Sequence, residues 1–143
     1  MPEARRDPAR GHLAAGWWAL LVFLSLGTVL EGLHGFKAAF YLDVDVETRR
    51  LLFRLAHTHG ALLGVLHVGL AFTLDRLPWT GASRALASQL LYAATVLIPG
   101  GFLAGGLFLH GTDPGLGVLL VPPGALCLFG AVLLVALRTL RER

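Results

Sequence analysis

Charge is scarce in this chain. Of its 143 residues only 15% are Asp, Glu, Lys or Arg, against 55% hydrophobic, and the mean hydropathy is +0.68. Soluble domains carry about 25% charged residues, so a water-facing globular fold is excluded as the reading. Cysteine is almost absent as well. The single Cys127 cannot close an intramolecular disulfide, and without a Cys pair there is no zinc ribbon, iron–sulfur ligand set or thioredoxin-like motif. Its place in an apolar stretch makes it a small packing residue. The alternating short strands of a membrane β-barrel are missing. So are a hydrolase triad, a phosphate-binding loop and a dinucleotide fingerprint, and no residue is assigned a catalytic role. The basic residues are scattered over short tails and loops, which argues against a nucleic-acid partner. The net charge of +3 and the pI near 9.8 then reflect orientation in a bilayer and contact with anionic lipid.

What the chain does have is long apolar stretches, at 14–30 (extending to 40 through Glu31, His34 and Lys37), 55–74, 85–110 and 115–137. A spanning helix needs roughly 20 residues, and in lipid the backbone must satisfy its own hydrogen bonds, which favours helices. The expected fold is all-α: an integral membrane four-helix up-down-up-down bundle in one transmembrane domain over residues 1–143. The helices are expected at about 13–39, 48–74, 84–110 and 116–138. The first stretch lacks a short apolar core followed by a small-residue cleavage site, so it is expected to be a helix and not a removable signal.

Orientation follows from the cations. Arg5, Arg6, Arg10, Arg76, Arg84, Arg138, Arg141 and Arg143 fall on one side, and Lys37, Arg49, Arg50 and Arg54 on the other. This places both termini in the cytoplasm of a multi-pass protein of the cell's inner (plasma) membrane. Trp17, Trp18 and Trp79 fit interfacial anchors, Glu47 or Thr48 caps the second helix, and Ser83 caps the third. Pro99 falls mid-span, where it removes a backbone donor. His110-Gly-Thr-Asp-Pro is a turn, and Pro122-Pro123-Gly124 kinks the fourth helix or delays its start.

The polar groups inside the apolar stretches are unevenly placed. Glu31, His34, His57, His59 and His110 all fall toward the extracytoplasmic ends, His67 lies nearer mid-span, and His12 is assigned to the N-terminal tail. Ionisable groups are costly in hydrocarbon and are rarely placed there without partners. Gly27, Glu31, His34 or Gly35, and Ala38 form one stripe, and His57, Gly60, Gly64, His67 and Ala71 another. Small residues beside imidazoles permit close helix packing, and they equally leave room for a flat macrocycle held by histidines. His57 and His59 lie about 200° apart around their helix, so they face different neighbours. The preferred axial pair for a b-type haem is His57 with His110, and the competing pair is His59 with His34. Glu31-Gly32-Leu33-His34 is an E-x-x-H element. Di-iron bundles use that element twice, with further buried carboxylates, so its single occurrence argues against such a centre. A copper, zinc or iron ion held by His34, His57, His59, His110 and Glu31 stays open.

The stretch Ala56-His57-Thr58-His59-Gly60-Ala61-Leu62-Leu63-Gly64 resembles a histidine-bearing early helix of subunit I in the haem-copper oxidase and nitric oxide reductase group. The resemblance covers about one helix of four. It implies haem or metal ligation at His57 or His59, and it implies a small relative, a haem-binding anchor or an accessory subunit more than an oxidase in its own right. The expected function is electron transfer or redox sensing by a membrane protein binding b-type haem, or a metal, near the extracytoplasmic face. Its setting would be a larger respiratory membrane complex or a homo-oligomer in the lipid bilayer. The alternatives are a cofactor-free structural or accessory subunit, a haem-free metal site, and small-solute or proton transport.

Overall fold

The structure, a computed structural model, describes residues 7–43 and 47–141. Of the cations that set the expected orientation, Arg5, Arg6 and Arg143 lie outside these residues. The described chain is all-helical in class, 86% helix with turns between the helices and no β-strand among the described residues. α1 spans Pro8–Gly35, α2 Ala39–Leu42, α3 Glu47–Arg76 and α4 Ala82–Leu107; a 3-10 turn at Leu116–Leu120 leads into α5, Val121–Arg141. Four of these segments are long and apolar enough to cross a membrane: Pro8–Gly35, Glu47–Arg76, Ala82–Leu107 and Leu116–Leu140. This is consistent with an integral membrane protein.

The helix ends differ from the sequence expectation for local reasons. α1 starts five residues earlier than expected, because the Asp7 carboxylate accepts the Ala9 N–H at 3.0 Å and Pro8 occupies the first turn. It stops at Gly35, short of residue 39. Lys37 adopts a left-handed backbone (φ 52°), and the Ala38 N–H turns back to the Leu33 carbonyl at 2.9 Å. α4 begins after Gly81, so Ser83 is not its cap; Ser83 instead accepts the Trp79 indole N–H at 3.0 Å. Trp79 is itself buried, with core residues of α3, α4 and α5. α4 ends at Leu107 because His110 and Asp113 exchange backbone hydrogen bonds at 3.1 Å and close their own turn. Pro122 and Pro123 sit in the first turn of α5, where a missing N–H is harmless, and Pro99 is accommodated inside α4.

α3 and α4 form the centre. α1 packs on α3, and α5 and the 3-10 turn pack on α4. One core joins Leu63 and Leu70 of α3 to Ala87, Leu91, Ala94 and Ile98 of α4 and Ala131 of α5; a smaller one joins Leu30, Tyr41 and Phe53. α1 and α3 meet in reversed order: His12 touches His67, Gly16 faces Gly64, and Gly27 faces His57. At the Gly16–Gly64 crossing backbone meets backbone. A Cβ on Gly16 would lie 2.8 Å from the Gly64 carbonyl oxygen, so only glycine fits. The interface therefore has two polar regions separated by close packing, one at each end.

Candidate functional site

At the end where α1 stops and α3 begins, the structure has an open cleft of about 890 Å³. Glu31 and His34 enter it from α1, Tyr41 from α2, and Arg50, Arg54, His57 and Thr58 from α3; Leu24, Gly27, Thr28 and Leu30 complete the lining. Helical spacing explains the grouping. Glu31 and His34 are three apart, and Arg50, Arg54, His57 and Thr58 recur at four, three and one, so each set shares a face. Tyr41 is buried against Leu30 and Phe53 and fixes α2 beside this lining. Arg49 ties the region together: its Nε–H donates to the Gly106 carbonyl at 3.3 Å and its Nη1 to the Phe40 carbonyl at 3.0 Å.

His57 is held at two points. Its Nδ1–H donates to the Phe23 carbonyl at 2.6 Å, and its ring fills the notch at Gly27, where a Cβ would overlap it. Because a carbonyl only accepts, the proton of the neutral ring is on Nδ1 and Nε2 keeps its lone pair. A carbonyl partner on one ring nitrogen is the arrangement that orients a histidine for ligation through the other. Arg50 pairs with Glu47 at 3.0 Å, while Arg54, Glu31 and His34 make no side-chain hydrogen bond or ion pair among the described residues.

The five residues expected at one site thus divide. Glu31, His34 and His57 line one cleft. His59, on another face of α3, donates Nδ1–H to its own helix at Leu55 (2.8 Å) and lies 5.1 Å from the Phe102 ring of α4. His110 is exposed in the turn after α4. Neither His59 nor His110 lines the cleft. Among the described residues no three His, Cys, Asp or Glu side chains come together as a metal-ligand group.

A second polar group escaped the sequence reading. His12 belongs to α1 and not to a tail, and it is 1% exposed. Its Nδ1 lies 2.7 Å from Nδ1 of His67, which is fully buried and whose Nε2 lies 3.0 Å from the Thr95 hydroxyl of α4. Tyr92 stacks on His12 with centroids 4.7 Å apart. The available signal was Asp7-Pro8, a cap followed by a first-turn proline, which carries the helix back past His12. Comparison with protein-family models, curated proteins and solved structures gives no match.

Proposed function

We propose that this is an up-down-up-down bundle with both termini in the cytoplasm of a plasma-membrane protein, and that its extracytoplasmic cleft binds a b-type haem for electron transfer or redox sensing. One observation carries the reading. His57 gives its Nδ1–H to the Phe23 carbonyl, which leaves Nε2 as the nitrogen with a lone pair for ligation, and the residue lines a cleft whose volume of about 890 Å³ falls within the roughly 300–1,000 Å³ of cofactor sites. His34 lines the same cleft and supplies the second imidazole, a role that its position favours over His110 or His59. Arg50 and Arg54 suit the haem carboxylates, because guanidinium pairs with carboxylate in a planar, charge-assisted fork. Glu31 tunes the local charge or handles a proton. When bound, haem supplies the electron exchange; the chain supplies imidazoles, guanidinium groups and apolar walls. The one-helix resemblance to haem-copper oxidase and nitric oxide reductase subunit I agrees with His57 as a ligand. A two-imidazole macrocycle also needs no three-residue ligand group, unlike a bare copper, zinc or iron site.

The second reading is a cofactor-free accessory subunit. It is favoured by the fit of the His57 ring into the Gly27 notch, which explains that histidine by packing alone. Titrating the purified protein with haemin separates the two. Ligation at this cleft predicts one equivalent bound with a low-spin spectrum, lost in His57→Ala and in His34→Ala and kept in His59→Ala and His110→Ala. Equal binding by all four variants would refute the cleft as the site.

A further inference from the structure

The pair His12–His67 lies at the opposite end of the α1–α3 interface, and the electron-transfer reading makes no use of it. Its hydrogen bonds have a direction that can be read from the acceptors. The Thr95 hydroxyl donates to the Leu91 carbonyl at 2.8 Å, so its oxygen accepts from His67 Nε2–H. The proton of neutral His67 is then on Nε2, and its Nδ1 is the acceptor in the 2.7 Å bond to His12. His12 must therefore carry its proton on Nδ1. This leaves His12 Nε2 as a lone pair, and that atom is buried without a hydrogen-bond partner among the described residues. Buried polar atoms are seldom left unsatisfied, and those that are call for an explanation.

The surroundings define what this nitrogen can take. Among the described residues, the titratable groups facing the pair are the two rings and Tyr92 of α4. Among the described residues no side chain of α5 and no carboxylate, lysine or arginine makes a hydrogen bond to either ring; Asp7 caps α1. A metal ion held between the two facing Nδ1 atoms would displace a hydrogen bond already made, and among the described residues no group of three His, Cys, Asp or Glu side chains forms there.

We propose that His12–His67 is a one-proton binding site. A proton given up by hydronium, which leaves as water, forms an N–H bond at His12 Nε2, and the charge is shared with His67 across the Nδ1–Nδ1 hydrogen bond. All three existing hydrogen bonds survive this addition, and the central one becomes charge-assisted. A second proton has no place, because it would set N–H against N–H at 2.7 Å. The two rings therefore titrate as a unit with a capacity of one. The site stands independently of the cleft.

The test is ring-nitrogen NMR of the full chain, labelled at histidine in lipid bilayers, with helicity followed in parallel. At neutral pH, His12 should show the Nδ1–H tautomer and His67 the Nε2–H tautomer. On acidification both rings should shift together and take up one proton in total while the helices persist. Thr95→Val removes the acceptor that sets the direction, so His12 should no longer be confined to Nδ1–H. An Nε2–H tautomer at His12 in the unaltered protein, two separate one-proton titrations, or loss of the fold before any uptake would each overturn the proposal.

Discussion

Replacing Gly27 with alanine tests whether the His57 ring is held as described. A Cβ at this position would overlap the ring, and His57 must leave the notch or the helices must separate. Overpacking of this kind costs about 1–3 kcal/mol. Moving the ring also breaks the 2.6 Å bond to the Phe23 carbonyl, which adds about 1 kcal/mol. The expected loss is about 2–4 kcal/mol in all. Gly69→Ala is the control, since nothing lies within 4 Å of its would-be Cβ and it sits inside α3. That change should stabilise by about 0.5–1 kcal/mol through helix propensity. Reversible denaturation in mixed micelles, read by circular dichroism, measures both. The double variant Gly27→Ala, His57→Ala should recover part of the loss, because the overlapping ring is gone. Equal stability of the Gly27 and Gly69 variants would refute the packing of His57 against α1.

Other changes follow from the same structure. Lys37→Gly removes a side chain from a left-handed backbone position (φ 52°) and should stabilise by about 1 kcal/mol in the same denaturation assay. His12→Ala strips His67 Nδ1 of its buried partner and should destabilise by about 1–3 kcal/mol; an unchanged midpoint would show that the two rings do not pair. Trp79→Phe keeps most of the buried ring but loses the indole bond to Ser83, at a cost of about 1 kcal/mol, and Ser83→Ala should show the same effect without adding to it. Arg54→Ala should weaken haemin binding roughly tenfold, the loss of about 1.4 kcal/mol expected for one charge-assisted contact, and equal affinity would remove Arg54 from the site.

The four long helices were legible in the sequence because lipid demands continuous apolar stretches. Their ends were not, because hydropathy marks the apolar part of a helix and not its caps. Arg10 and His12 interrupt the hydropathy of α1 but not its hydrogen bonding, and Asp7 with Pro8 starts it earlier. At its other end Lys37, not a glycine, takes the left-handed position, so the stop carried no compositional mark. The cleft was partly legible: the face spacing of Glu31, His34 and His57 brought them to one side of the α1–α3 pair. Similar depth did not bring His59 and His110 to the cleft: His59 lies on another face of α3, as its offset of about 200° from His57 implies, and His110 lies in the turn after α4. The His12–His67 contact needed the register of α1 against α3, which the Gly16–Gly64 crossing fixes and no local pattern reveals.

The most direct test of the central claim is the visible spectrum of the protein purified in detergent without added cofactor, recorded oxidised and after dithionite, with pyridine haemochrome and total metal measured on the same sample. Haem binding at the α1–α3 cleft predicts a Soret band, sharpened α and β bands on reduction, and about one b-type haem per chain. A well-folded, colourless preparation that also fails to take up haemin would contradict the account and leave the accessory-subunit reading in its place.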